Sequence, residues 1–543
     1  MSADANAEYS ETKDQNYTMA SISLPQRFNC AYLPRLLAAS LRVVRRRRRG
    51  PLEAHREAGP RAGVDGSNGD VVAPANQGGR PRFGRIRHLR RVRLGYAPSF
   101  VGFSCTDTTL GEFEQKGGIR TNWGTKEELI AAIKKGKEHG VVSYVDAVLN
   151  HRFGADRKET FAAVEVDESD RTKEVSDKYD VKGWTGFDFP GRGDKYSAMK
   201  YNFNHFTGVD YNDKNKKTAI YKIHGDGKDW AQGVDNENEN YDYLMGADID
   251  HSHPDVRADL IHWGKWVTNE LGTAGFRFDA VKHIDRGFIA DFVKSVRAET
   301  DKPSMFAVGE FWKDSITDLE EYLDSLGTQF SVFDAPLHYN FKEAGDRGRD
   351  YDLRAIWDGT VVQKRPIDAV TLVENHEYQV GQSLESAVNP AFKPLAYALI
   401  LLRPSGYPCV FWGDLYGTKG ENPQQPISQL ANLIRARKLF AYGELRDYWD
   451  HMNCVGWVRM GEPEKGRPDG CAVVVCNGDE GFKRMEVGKE HANERWTDVL
   501  GWHDGEVVIG EDGWADFRCS PMSVSVWVKS DAKGREQFER AQQ

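Results

Sequence analysis

Four short segments constrain this chain more than anything else in it: DAVLNH (146–151), GFRFDAVKH (275–283), VGEFW (308–312) and TLVENHE (371–377). Each opens as a short apolar or β-branched run and closes on charged or imidazole side chains. A buried parallel strand has this pattern when it delivers functional groups at its C-terminal mouth. Together they supply Asp279, Glu310 and Glu377, with His151, Arg277, His283 and His376 around them. Cleavage of a glycosidic bond needs such a set: an ionised carboxylate, a carboxylic acid of raised pKa, and donors that grip sugar hydroxyls. A strand-end acid that merely caps the next helix accounts for one such segment. Four in succession point to a site.

The segments resemble the four signature regions of the α-amylase family of glycoside hydrolases. The likeness extends to LGEFEQKGGIRTNWGTKEEL (110–129), FDFPGRGDKYS (187–197), NYDYLMGADID (240–250), FDAPLHYNF (333–341) and GYPCVFWGDLYGTKG (406–420), and so from about Leu110 to about Val528. It is strongest toward liquefying bacterial α-amylases and their intracellular fungal relatives. The resemblance implies an α/β fold: a (β/α)8 TIM barrel, a subdomain inserted after the third strand, and a C-terminal antiparallel β-sandwich.

A chain of 543 residues suits that arrangement, with 39% hydrophobic and 11% aromatic residues for a core and for sugar-stacking surfaces. KEELIAAIKKGKEHG (126–140) predicts a barrel helix ending at a Gly, and VVSYVDAVLNH (141–151) the third strand. ADLIHWGKWVTNEL (258–271) predicts the helix before a fourth strand at Gly275. MFAVGEFW, FSVFDAPL, AVTLVENHE and GYPCVFWGD then give strands five to eight. The barrel is thus expected in 110–151 and 253–441. Residues 152–252 lack the strand–helix rhythm and are rich in Asp, Asn, Gly and aromatics, as an inserted loop domain would be, and the resemblance implies that it binds calcium. Short β runs with Gly turns fill 442–529, a small sandwich, and 530–543 is a charged tail.

Seven cysteines, odd in number and scattered without metal-type spacing, suit a reducing compartment. No apolar run approaches the roughly 20 residues of a membrane span. The leading MSADANAEYSETKDQ has neither a basic n-region nor an apolar h-region. These features predict a cytoplasmic enzyme.

Roles follow from chemistry and from the resemblance. Asp279, beside the Arg277 guanidinium, should stay ionised and act as nucleophile. Glu310, flanked by Phe311 and Trp312, should be the general acid and then base, because apolar walls favour the protonated form. The resemblance makes the mechanism retaining, with the two carboxyls about 5–5.5 Å apart. It assigns His151 and His376 to the sugar on the cleaved side, and Lys282, His283 and Trp312 to the leaving-group side. The third catalytic carboxylate departs from the family pattern, which has Asp where this chain has Glu377. One added methylene moves the carboxylate by about 1 Å, and misplacement of that order costs roughly 100-fold, so a weakened hydrolase is expected. The resemblance also implies Ca²⁺, held by Asn150, Asp242, Asp248 and the backbone carbonyl of His283, all oxygen donors as a hard cation requires. At the relatives' second cation site Asp229 and Asp250 remain, but Thr207 and Ser252 stand where carboxylates are expected.

The first hundred residues differ. They hold 17 Arg, one Lys and 8 acids, a balance of +10, against −19 for the rest. RVVRRRRRG (42–50) conventionally reads as a nucleic-acid-binding arm, but either cation neutralises phosphate, and such arms mix Lys with Arg. Arginine is also what GC-rich coding DNA gives when read out of frame. Permitted codons for 42–66, shifted one nucleotide forward, can spell EWYVDDGAGHWKRIAKQAPELASMG, which looks like the family's first two strands. We therefore read residues from about 20 to 95 as off-frame, and 96–109 as a retained intron in a fungal gene. Residues 1–109 should then be aberrant and disordered, with the first two barrel strands missing or garbled.

The favoured reading is endo-acting hydrolysis of α-1,4-glucans (starch, glycogen or a wall α-glucan) by a monomer, with neither nucleic acid nor membrane as partner. The alternative is a catalytically weak glucan-binding or transglycosylating relative.

Overall fold

The computed structural model describes residues 125–419 and 422–538 in full, and the backbone of two further strands, β1 (Met19–Ser21) and β2 (Pro98–Phe100). Apart from those two strands, residues 1–109, expected to be disordered, lie outside the described residues.

Six parallel strands form the centre of the main sheet: β3 (Tyr144–Ala147), β4 (Gly275–Phe278), β5 (Phe306–Gly309), β6 (Ser331–Phe333), β7 (Ala369–Leu372) and β8 (Tyr407–Phe411). They neighbour one another in chain order, and β4 to β7 are buried along their whole length. That burial is what strands covered on both faces require, and it explains their unbroken apolar runs. Helices lie between successive strands: α1 (Lys126–Lys137), α2 (Pro254–Leu271), α3 (Arg286–Glu299), α4 (Ile316–Leu326), α5 (Ala335–Arg347) and α6 (Lys393–Leu402). Local chemistry sets their ends. Thr125 and Glu128 close a capping box on α1, with N–H to oxygen distances of 3.3 and 2.8 Å. Side chains alternate along β4: Phe276 and Phe278 pack against Phe292 of α3, leaving Arg277 on the opposite face.

The edges of this sheet are β1 and β2. β1 pairs parallel with β8, Met19 opposite Cys409, and so takes a first strand's place. β2 pairs with β3, Pro98 opposite Ala147, but runs antiparallel to it. A barrel's second strand must run parallel to its third for its end to reach the functional mouth. Among the described residues no ladder joins β1 to β2.

Residues between β3 and α2 are more ordered than a loop domain. They form a six-stranded antiparallel sheet, in the order His151–Arg152, Ala247–Ile249, Phe206–Asn212, Lys217–Ile223, Arg157–Glu165, Tyr179–Gly186. The pairing of His151 with Asp248 ties the end of the first signature segment to the acidic NYDYLMGADID stretch. After the barrel comes a second six-stranded antiparallel sheet and a two-stranded one, Gly481–Glu486 with Trp514–Cys519. Helix α6 is apolar all round and fully buried, packed against strands of this C-terminal layer as well as its helical neighbours. No described helix is long and apolar enough to cross a membrane, and the five described cysteines are free thiols.

Candidate active site

The ends of β3, β4, β5 and β7 converge on one guanidinium. Register places Arg277 opposite Asp146 on one side and Val308 on the other, so its side chain lies between two strand ends. Its Nη1 donates to Asp146 and to Asp279, at 2.7 Å each, and its Nη2 forms an ion pair with Glu310. Asp279 and Glu310 are thus joined through one guanidinium. The backbone N–H of Ala280 donates to the other Glu310 oxygen at 3.2 Å. Ala280 takes a left-handed conformation, φ 50° and ψ 40°, which an L-residue adopts only when its surroundings force it. Gly309 leaves room beside this cluster: a Cβ there would lie 2.7 Å from Phe330 and 2.9 Å from Val281.

The two central carboxyls differ in their electrostatics. Burial alone would raise the pKa of Asp279, but Arg277, His151 and its hydrogen bonds hold it below the ordinary carboxylate value. Burial drives Glu310 well above its ordinary value; Arg277 opposes this, and Asp279, Glu377 and Asp146 add to it. Glu310 is 4% exposed and Asp279 22%, so the acid is the deeper of the two. Glu377 is also raised, first by burial and then by Asp279. Its backbone N–H and that of Tyr378 both donate to Asn375 Oδ1, at 2.9 and 2.8 Å, a tight turn that sets the fourth segment's direction.

The predicted sugar-gripping residues surround this centre. Burial lowers the pKa of His151 and His376, the latter to about 4, so both rings are neutral; His151 Nδ1 is buried without a partner. Both feel the charge of Asp279. Trp312 packs on Phe333 and Tyr378, with centroids 5.6 and 5.1 Å away and its indole N–H unpartnered. Lys282 bonds Glu237 at 2.9 Å and the Trp312 carbonyl at 3.4 Å. His283 is fixed through its Nδ1, 2.7 Å from the Tyr241 carbonyl, and burial pushes its pKa down to about 3.

The four residues of the predicted cation set are buried. Asn150 Nδ2 donates to Asp248 at 3.2 Å, leaving Asn150 Oδ1 and one Asp242 oxygen without hydrogen-bond partners. Burial, with the charge of Asp250, raises the pKa of Asp242 to about 7, and burial with the charge of Asp242 raises that of Asp248 well above its ordinary value. Orphaned buried oxygens beside two facing carboxylates fit a hard divalent ion. His205, His253 and Asp255 also converge, their candidate ligand atoms within 4.8 Å of one another. There, however, both Nδ1 atoms accept backbone N–H groups, which keeps the ring protons on Nε2.

Three features escaped the sequence reading. Asp146 sits in the first segment but stood out there no more than its neighbours. Glu374 is 1% exposed and paired at 2.9 Å with Lys393, the first residue of α6; Lys393 also holds Asp414 at 2.7 Å, and Tyr397 donates to Asp414 at 2.6 Å. A lysine opening the otherwise apolar KPLAYALILL was the available signal. The third is Lys228, whose ammonium is buried against Asp250.

Comparison with known proteins agrees with this geometry. Residues 114–438 match the family described as the α-amylase catalytic domain, and residues 472–528 the α-amylase C-terminal family. The chain is 48% identical over 440 residues to the α-amylase of Bacillus licheniformis, covering 80% of this chain and 85% of that one. It is 41% identical over 446 residues to the cytoplasmic α-amylase of Escherichia coli K12, covering 80% and 89%. The solved structure of α-amylase I from Eisenia fetida aligns with a TM-score of 0.50 at 15% identity, over 74% of this chain and 84% of that one, a likeness of fold alone. Family match, sequence identity and the carboxylate centre agree, and the chain belongs to the α-amylase family of glycoside hydrolases.

Proposed function

We propose that this protein hydrolyses internal α-1,4-glucosidic bonds of starch- or glycogen-type glucans with retention of configuration. Asp279 attacks the anomeric carbon, and Glu310 protonates the departing oxygen and then deprotonates the incoming water. The observation that carries this reading is the opposed protonation of two adjacent carboxyls around Arg277. Their closeness favours retention, since inverting enzymes leave about 6.5–9.5 Å for a water. In this reading His151, Arg277 and His376 hold the sugar on the cleaved side, while Lys282, His283 and Trp312 face the leaving group. Glu377 is the third catalytic carboxylate. Asn150, Asp242, Asp248 and the His283 carbonyl would hold calcium, which when bound would supply positive charge that fixes the inserted sheet to the barrel.

We divide the chain into an aberrant start (1–109), a barrel (110–151 and 253–441), the insertion (152–252), a sandwich (442–529) and a tail. The E. coli relative's cytoplasmic name and the composition of the cysteines support a cytoplasmic enzyme acting as a single chain. The fungal source rests on the retained intron; the sequence relatives named above are bacterial.

The test is reducing-sugar release from soluble starch, with the product anomer followed by NMR. Wild type should release the α-anomer first, and Asp279→Asn should lose essentially all turnover. Glu310→Gln should fall about 10²–10⁴-fold. Initial release of the β-anomer, or a fully active Asp279→Asn, would overturn the assignment.

A further inference from the structure

The inserted sheet carries a third buried carboxylate beside the calcium set. Asp250 follows Asp248 by two residues and adds to the electrostatic load on both Asp242 and Asp248. Its Oδ1 takes the backbone N–H and hydroxyl of Ser252, at 3.0 and 2.5 Å. Its Oδ2 takes the ammonium of Lys228 at 2.5 Å, and that ammonium also contacts the Asn204 carbonyl. The Lys228 and Asp250 side chains are only 8% and 7% exposed. A lysine head normally reaches for water; this one is buried against one carboxylate oxygen and one carbonyl oxygen, the kind of donors a hard cation takes.

Other charges nearby do not share the position. Asp229 is mostly exposed and pairs with Lys222 at 3.1 Å, and the His205 ring is held neutral by burial, its pKa at about 4. The buried cluster therefore comprises three carboxylates and one ammonium, a net charge of −2. With all three carboxylates ionised, one divalent cation neutralises it and a second would leave +2, an excess that low-dielectric surroundings penalise heavily; without the ammonium the cluster carries −3, so one divalent ion leaves −1 and a second brings it only to +1.

We propose that the Lys228 ammonium is a built-in cation, filling a second cation position at Asp250 and limiting the cluster to a single divalent ion. The proposal rests on the calcium reading of Asn150, Asp242 and Asp248. Removing the ammonium opens the Asp250 position to a metal ion from solution.

Titration calorimetry of chelator-stripped full-length protein with CaCl2 tests this, beside thermal melts with and without calcium. Wild type should bind one ion, and Lys228→Met two, with a melting temperature that depends more steeply on calcium than the wild type's. Should Lys228→Met not fold without metal, it is refolded in calcium and its bound ions counted by atomic absorption. Lys228→Met/Asp250→Asn, which removes both charges, should return to one. One ion in both wild type and Lys228→Met, with unchanged affinity, overturns the proposal and leaves the calcium reading intact. Two ions in wild type does the same. No ion in wild type overturns the calcium reading itself.

Discussion

Glu377 is where the proposed mechanism expects turnover to be held below the family norm. Its turn is fixed by Asn375, so the additional methylene cannot be absorbed by the backbone without breaking those two bonds. Glu377→Asp should therefore raise kcat toward the family norm, by up to about 100-fold, in a starch assay; unchanged or lower turnover counts against the idea. Asp279 and Glu310 set the pH profile. Asp279 must be ionised, and its pKa lies below the ordinary 3.8, so activity falls only when pH drops through that depressed value. Glu310 must be protonated, and its pKa lies well above the ordinary 4.5, so activity falls as pH rises through the raised value. A bell with limbs on either side of those two reference values is expected in kcat/KM against pH. In Asp279→Asn the Glu310 limb should shift to lower pH, read from residual activity or from NMR titration of the carboxyl, because the negative neighbour that raises it is gone.

At the scale of the element, the fourth segment is held from below. Lys393, at the start of α6, binds Glu374 at the end of β7 and Asp414 just beyond β8. Breaking a buried pair by removing one partner leaves an uncompensated charge, at about 3–5 kcal/mol. Lys393→Ala should lose that much stability in urea denaturation, with a fall in kcat because Glu377 follows Glu374 by three residues. This network was not legible in the sequence: which acid a lysine meets depends on how β7, α6 and β8 pack, not on spacing along the chain. The strand-end acids were legible, because alternation along a doubly covered strand fixes which side chain faces the mouth; Asp279, Glu310 and Arg277 meet as their segments implied. The inserted sheet was missed for the opposite reason. Its strands pair across long loops and carry many polar residues on an exposed face, so no period announced them.

For the whole molecule, six parallel strands form the centre of the main sheet, with β1 and β2 at its edges. β2 runs antiparallel to β3, where a closed barrel needs a parallel strand. A chain restored to frame across residues 20–95, with 96–109 removed, should melt at a higher temperature and hydrolyse starch faster than the chain as given, in side-by-side assays. Sequencing the transcript across codons 18–112 tests the premise; an mRNA encoding the arginine-rich stretch in frame rejects it.

Ala280 carries a consequence of a different kind. Its forced left-handed turn points an amide proton at the general acid, so that once Glu310 has given up its hydrogen the newly formed anion already has a donor waiting. That donor belongs to the main chain and survives every change of side chain except to proline, which has no N–H and cannot take φ 50°. Replacing the amide by an ester would silence it without that clash, and the loss would fall on the second half of the catalytic cycle, when the anion must recover a proton from water.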